Sequence, residues 1–227
     1  DSSRQAFVTR YQHVEYALGI IITKVAYEDD QYNVVGPSKA KGLARSMRQT
    51  KEIVGTNVYN RAFNSTYTGG DGKELCATDH PNFAGGTWAN ELSVAADLSE
   101  AALEQSVIDI SKYTDDRGLR IAVMPKTLII PVDLMFEAER ILKTEGRYGT
   151  ANNDLNAIKN MGKFPGGIKV NHYLTDTDAW FIRTDAQDGM KYFTRVDDQF
   201  TDDNDFDTDN AKYKARARFC FGWTDPK

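Results

Sequence analysis

The segment SKAKGLARSMRQTKEIVGTNVYNRAF, residues 38–63, carries the longest uninterrupted helical pattern in the chain. Pro37 stands before it and Asn64-Ser65 after it, so the expected helix runs from Ser38 to Phe63. Leu43, Met47, Val54, Val58 and Ala62 recur at helical spacing and make a narrow apolar stripe. Tyr59 and Phe63 add an aromatic pair four residues apart. At about 1.5 Å per residue such a helix reaches roughly 40 Å. A beam that long with so narrow a stripe is a scaffold, not the wall of a small-molecule pocket.

The rest of the chain reads as α+β. Phe7–Ile22 is rich in β-branched and aromatic residues and predicts an extended strand, one arm of a hairpin whose other arm would lie upstream. Ala26–Tyr32 is a short helical piece. Asp71-Gly72 is the strongest hairpin-turn signal, with a short strand expected at Leu75–Ala77 and loop from Asn82 to Asn90. A helix capped by Ser99 should run to Tyr113, followed by strands at Ile121–Met124 and Thr127–Ile130 and a helix over Asp133–Lys143. After an Asn- and Gly-rich stretch with a brief helical piece at Asp154–Asn160, strands are expected at Lys169–Tyr173, Ala179–Thr184, Lys191–Val196 and Ala211–Trp223, in a mainly antiparallel sheet.

Charge sets limits on function. The 227 residues carry a net charge of −5, which argues against a general polyanion binder. No apolar run approaches the ~18 residues of a membrane span, and no signal peptide is visible at the start, which is Asp rather than Met. Cys76 and Cys220 fit neither a metal set nor a disulfide framework and are expected as buried free thiols. Residues 36–62 hold six Lys/Arg against Glu52, whereas residues 175–209 hold eleven Asp against Arg183, Lys191 and Arg195. One basic and one acidic stretch can complement other copies of the same chain, or simply be two solvated faces.

Motifs for chemistry are thin. Cys76, Asp79 and His80 could form a nucleophile with its base, or two metal ligands, although Pro81 favours a rigid turn. The acidic run Thr201–Asp209 fails as a calcium loop: counted from Asp205, Asn210 and Arg216 occupy the places that need Gly and a bidentate acid. Glycine-rich phosphate cradles and a nucleophile elbow are missing. No cofactor is expected.

The terminal run KYKARARFCFGWTDPK interleaves bases with aromatics, as a nucleic-acid groove would. Strand parity separates it. Tyr213, Ala215, Ala217, Phe219, Phe221 and Trp223 share one face, and Lys212, Lys214, Arg216, Arg218, Cys220 and Gly222 share the other. That is the pattern of a half-buried strand, whose basic edge remains free to meet an acidic loop or nucleic acid.

Four segments together carry a family resemblance: YEDDQYNVVGPSKAKGLARSMRQTKEIVGTNVYNRAF (Tyr27–Phe63), DGKELCATDHP (Asp71–Pro81), KTLIIPVDLMFEAERIL (Lys126–Leu142) and ARARFCFGWTDP (Ala215–Pro226). They resemble, in the same order, the Mu-type major head subunit of tailed bacteriophages, a family with the Hong Kong 97-type capsid fold. The resemblance implies an α+β chain with a long spine helix, a peripheral-domain antiparallel sheet, an axial domain and an extended E-loop. Residues 1–23 would hold the returning strand of the E-loop, and 24–118 the peripheral domain with its spine helix at 38–63. Residues 119–171 would form the axial domain, and 172–227 strands shared by the axial domain and returning to the peripheral domain. Relative to that family the chain lacks an N-terminal arm and outgoing loop strand and stops soon after Trp-Thr-Asp-Pro, which suggests a fragment of a longer product.

The implied function is a major capsid protein that self-assembles into the pentamers and hexamers of an icosahedral shell around double-stranded DNA, which it contacts weakly. It would act without catalysis, in the virion capsid and, during assembly, in the bacterial host cytoplasm. Portal, scaffold and decoration proteins are further implied partners; a membrane is not. Arg45, Arg48, Arg216 and Arg218 are the candidate subunit-interface residues. The rival readings are a Cys/His-dependent hydrolase built on Cys76 and His80, and a sequence-independent DNA-binding module using Arg216 and Arg218.

Overall fold

The computed structural model describes residues 7–29, 32–115, 117–147, 149 and 154–227. Residues 1–6 of the expected E-loop segment, and parts of the helical piece and of the Asn/Gly-rich stretch, lie outside the described residues. In chain order the elements are β1 (Val14–Ile22), α1 (Lys24–Glu28), α2 (Tyr32–Asn60), β2 (His80–Pro81), β3 (Thr87–Trp88), α3 (Glu100–Ser111), β4 (Pro125–Ile130), α4 (Met135–Lys143), α5 (Ala157–Asn160), β5 (Ile168–Val170), β6 (Phe181–Thr184), β7 (Met190–Asn204) and β8 (Ala211–Trp223). The α+β expectation holds.

The long helix is displaced from its expected bounds. It begins at Tyr32, six residues before Ser38, and ends at Asn60, leaving Phe63 in the following turn. Pro37 therefore lies inside it. Proline lacks the N–H that would bond the Asn33 carbonyl, and it crowds the residue before it. That residue is Gly36, which has no Cβ to clash, so the helix passes through. The apolar stripe stands as expected: Leu43, Met47, Val58 and Ala62 are buried and Val54 is half-buried.

The chain divides into two compact units. The smaller comprises residues 11–55 and 191–222. Its sheet has the order β1-β8-β7, with β1 antiparallel to β8 in a register that sets Glu15 opposite Arg218 and Ile22 opposite Ala211. β1 thus pairs along one edge with the last strand of the chain and forms one edge of this sheet among the described residues. Phe7–His13, expected as strand, is irregular. The core of this unit joins Leu43 and Met47 of α2 to Ala215, Ala217 and Phe219 of β8, with Tyr16, Ile20, Val54 and Phe221 around them. Two alanines in the strand let the helix approach closely. Each larger side chain buried there contributes about 1.5–3 kcal/mol.

β7 continues to Asn204, eight residues past the expected Val196. Its acidic second half has poor strand propensity, yet it lies at a sheet edge where most side chains are exposed. Parity holds in β8 through Phe219. Beyond it both faces close over, so Cys220 and Gly222, expected on the outer face, are buried.

The larger unit comprises residues 7–10, 56–190 and 223–227. Its sheet has the order β5-β4-β6, with β5 parallel and β6 antiparallel to the central β4. β4 is buried on both faces from Thr127 to Ile130 and reads as a continuous apolar run. Pro125 opens the strand, where a missing N–H is tolerated, and the strand expected at Ile121–Met124 is absent. Leu128 and Ile130 pack against Leu98, Leu103 of α3, Ala138 and Ile141 of α4, and Ile158 of α5. Ser99 caps α3 through the Ala102 N–H, as its sequence predicts. Buried Asn156 caps α5 and donates to the Ile141 carbonyl at 2.6 Å, pinning α5 to α4. Leu75–Ala77 forms no strand: the Cys76 N–H bonds the Ala62 carbonyl and Ala77 bonds Asn90 instead. The Asp71-Gly72 turn is present, without flanking strands. Among the described residues no helix is long and apolar enough to cross a membrane.

Candidate subunit-contact surface

In the smaller unit, the face of β8 opposite α2 carries the expected basic row. Arg216 is half-buried and forks onto Glu15 of β1, with Nε 2.9 Å from Oε1 and its terminal nitrogen 3.3 Å from Oε2. Glu15 lies directly across from Arg218, so the bridge to Arg216 runs diagonally across the two strands. Arg218, also half-buried, has no ionic partner among the described residues.

α2 contributes a second basic surface. Lys41, Arg45 and Arg48 fall at i, i+4 and i+7, are exposed, and have no carboxylate partner among the described residues. They project from the side of the helix away from Leu43 and Met47. Because those two residues pack on the Ala215, Ala217 and Phe219 face of β8, Arg45 and Arg48 lie on the opposite side of this layer from Arg216 and Arg218. The four candidate arginines form two separate patches. Farther along α2, Lys51 bonds Asp198 of β7 at 2.8 Å, and that hydrogen bond raises the Lys51 pKa.

The β7–β8 connection is braced. Lys212 Nζ lies 2.9 Å from Asp205 Oδ2, and Thr208 Oγ1 donates to the same oxygen at 2.8 Å, together holding the Asp205 carboxyl below its usual range. Lys24 Nζ lies 3.0 Å from Asp209 Oδ2, and its pKa rises through that bond; its backbone N–H donates to Asn210 Oδ1 at 3.0 Å. Between these anchors Phe206 is 98% exposed. The acidic run that fails as a calcium loop is thus the end of β7 followed by a turn held by lysines.

In the larger unit, Cys76, Asp79 and His80 do not converge as a reactive pair. Asp79 bonds Lys73. The His80 ring is fully buried, stacks on Trp88 with centroids 4.8 Å apart, and places Nδ1 2.6 Å from Asp71 Oδ2. Burial pushes the Cys76 thiol up to about 12, so it is protonated near neutral pH. Asp79 and His80 each have a structural partner, and His80-Pro81, expected within a rigid turn, is instead the strand β2, paired with Thr87-Trp88 of β3.

A family model described as a phage capsid protein matches residues 6–227. The chain belongs to the phage capsid protein family. Its fold is the Hong Kong 97-type capsid fold, shared with solved capsids of low sequence similarity. The bacteriophage JBD30 capsid aligns over 77% of this chain and 82% of its own, at 12% identity and a TM-score of 0.58. Mycobacterium phage Che8 aligns over 94% and 68%, at 11% identity and a TM-score of 0.52. A virus-like particle from Pyrococcus furiosus aligns over 94% and 73%, at 12% identity and a TM-score of 0.51. No curated protein sequence matches the chain.

For a phage capsid chain the relevant chemistry is contact between surfaces. Sequence reasoning found both arginine patches and the buried aromatic face of β8, but not Phe206 or the lysines that brace its turn. The available signal was length: a 13-residue strand after a turn needs a partner of similar length, which extends β7 into the acidic run.

Proposed function

We propose that the chain is the major shell subunit of a tailed phage, assembling into pentamers and hexamers of an icosahedral capsid that encloses double-stranded DNA. The observation that carries this reading is the pairing of membership in the capsid family with a smaller unit that exposes a 15-residue edge strand and two separate basic patches. Exposed strand edges and unpaired charge are liabilities in a monomer and useful in a shell. Arg45, Arg48 and Arg218 are the proposed subunit-contact residues. Arg216 contributes through its bridge to Glu15, which fixes the outer face of the sheet.

The role is mechanical and electrostatic. Apolar burial between subunits supplies affinity, charge fixes register, and repetition of the same contacts about symmetry axes closes the shell. The net charge of −5 suits a lining that touches phosphates sparsely, because DNA packaged by a motor does not require a basic wall. In the family's terms, residues up to 23 are proposed as E-loop strand and α2 as the peripheral-domain spine. Residues 119–171 are proposed as axial domain and β8 as the strand returning to the peripheral sheet. Assembly in the host cytoplasm, with portal, scaffold and decoration partners, follows from the same reading.

Sedimentation over a concentration series tests it. The wild type should pass from monomers to capsomer-sized and larger species, and Arg45→Glu/Arg48→Glu should stay monomeric with an unchanged circular dichroism spectrum. A wild-type chain that remains monomeric at high concentration contradicts the proposal.

A further inference from the structure

We infer that the β7–β8 turn is a docking knob, with Phe206 as its anchor, and that its receptor is the Lys41–Arg45–Arg48 row on α2 of a second copy of this chain. The inference rests on the capsid-subunit reading above and names which surfaces meet.

The turn carries the first half of the argument. A large aromatic side chain at 98% exposure has no function in the monomer and costs solubility. Here it stands on a rigid base: Lys212 holds Asp205, Thr208 holds Asp205, and Lys24 holds both Asp209 and Asn210. The Asp209 N–H also bonds the Asp205 carbonyl at 2.8 Å, and Asp209 itself adopts a φ of 56°, an unusual conformation for a residue with a side chain. So much local bonding, spent on a turn whose central side chain touches nothing, makes a preorganised ligand. Presenting an anchor already ordered removes the entropy of ordering it on contact.

Charge names the receptor. Between Thr201 and Asn210 the end of β7 and the turn together hold five Asp and no Lys or Arg. Asp205 and Asp209 are taken by lysines of the same molecule, which leaves Asp202, Asp203 and Asp207 without a cation among the described residues. On α2 the position is reversed. Lys41, Arg45 and Arg48 lie along one exposed face within about 10 Å, at spacings where like charges repel. Three carboxylates flanking an aromatic fit three cations in a row. The ring itself favours the same surface, since guanidinium groups pack on aromatic faces and long basic stems cover apolar area. A DNA backbone would also take the α2 row, but it would be repelled by the acidic turn and would leave Phe206 unexplained. A second copy satisfies both surfaces at once.

The test uses two full-length charge-reversal variants. One carries Asp203→Lys/Asp207→Lys at the end of β7 and in the turn, and the other carries Arg45→Glu/Arg48→Glu on α2; both alter exposed side chains only. Each alone is expected to lose self-association in sedimentation, and an equimolar mixture is expected to regain it, because the basic turn of one fits the acidic helix of the other. Phe206→Ser, which removes only the anchor, should weaken association by about tenfold or more. Association unaffected by either reversal overturns the inference, and so does loss that mixing fails to restore. Both outcomes leave the shell-forming role itself intact, although the first removes Arg45 and Arg48 from its proposed contact residues. That reading fails separately, if the wild type itself never associates.

Discussion

Phe219 and Phe206 are both phenylalanines of the β7–β8 hairpin, and the structure assigns them opposite fates under truncation. Phe219 is 1% exposed under α2. Its ring stacks on Tyr16 with centroids 4.8 Å apart and meets Phe221 at 5.8 Å and Tyr192 at 6.0 Å. Phe→Ala at a buried site costs about 3–5 kcal/mol, and the loss of three ring contacts places Phe219→Ala near the top of that range. Phe219→Leu keeps most of the volume and should cost about 1–2 kcal/mol. Against a total stability of roughly 5–15 kcal/mol, the alanine variant loses a large share of its margin. Phe206→Ala touches no neighbour and should stay within about 0.5 kcal/mol of the wild type. Urea unfolding of the dilute, unassembled chain, followed by circular dichroism, measures all three. The expected order is Phe219→Ala far below Phe219→Leu, with Phe206→Ala level with the wild type. Equal losses at Phe219 and Phe206 would refute the division of the hairpin into a core face and a presented tip.

Three further expectations concern other parts of the chain. A Cβ at Gly166 would lie 2.8 Å from the Lys126 carbonyl oxygen and closer still to Thr127 Oγ1, so Gly166→Ala should destabilise by about 1–3 kcal/mol in the same urea assay. Cys76, half-buried rather than fully buried as expected, should still react with a thiol reagent at pH 8 far more slowly than a small free thiol, since desolvation holds its pKa near 12; labelling at the rate of free cysteine would contradict that shift. The β7–β8 turn should stay braced between about pH 4 and pH 10. Asp205 is depressed in the folded state, so its contribution is present above the unfolded carboxylate pKa and is lost as pH falls through the folded value. Lys24 is raised, so its contribution is present below the unfolded lysine pKa and is lost as pH rises through the folded value. Amide chemical shifts of Asp205 and Asp209 across a titration would show both edges, and a transition near neutrality would contradict the bracing.

What the sequence made legible follows from periodicity. The α2 stripe and the β8 parity are long patterns in which every apolar position agrees, so Leu43 and Met47 could be placed on one face of the helix and Ala215, Ala217 and Phe219 on one face of the strand; that these two faces meet is visible only in the fold. The Ser99 cap was legible for the same local reason. What escaped depended on distant residues. Pro37 signals a helix start unless the preceding residue lacks a Cβ. The acid-rich half of β7 looks like loop until β8 supplies its length. Cys76, Asp79 and His80 look like a cluster in sequence, but Ala62, Lys73, Asp71 and Trp88 claim them individually. The candidate surface was half-visible: charge counting located the basic stretch of α2 and the acidic run, and strand parity the Arg216–Arg218 edge, whereas the exposure of Phe206 depends on a turn braced from Lys24, 182 residues away from it in the chain.

The central claim, that this chain builds a closed shell from copies of itself, is tested most directly by electron microscopy of the concentrated, purified full-length protein. The account predicts capsomer rings and closed shells, with averaged density placing the β7–β8 turn against α2 of a neighbour. A field of dispersed monomers at every concentration would contradict it.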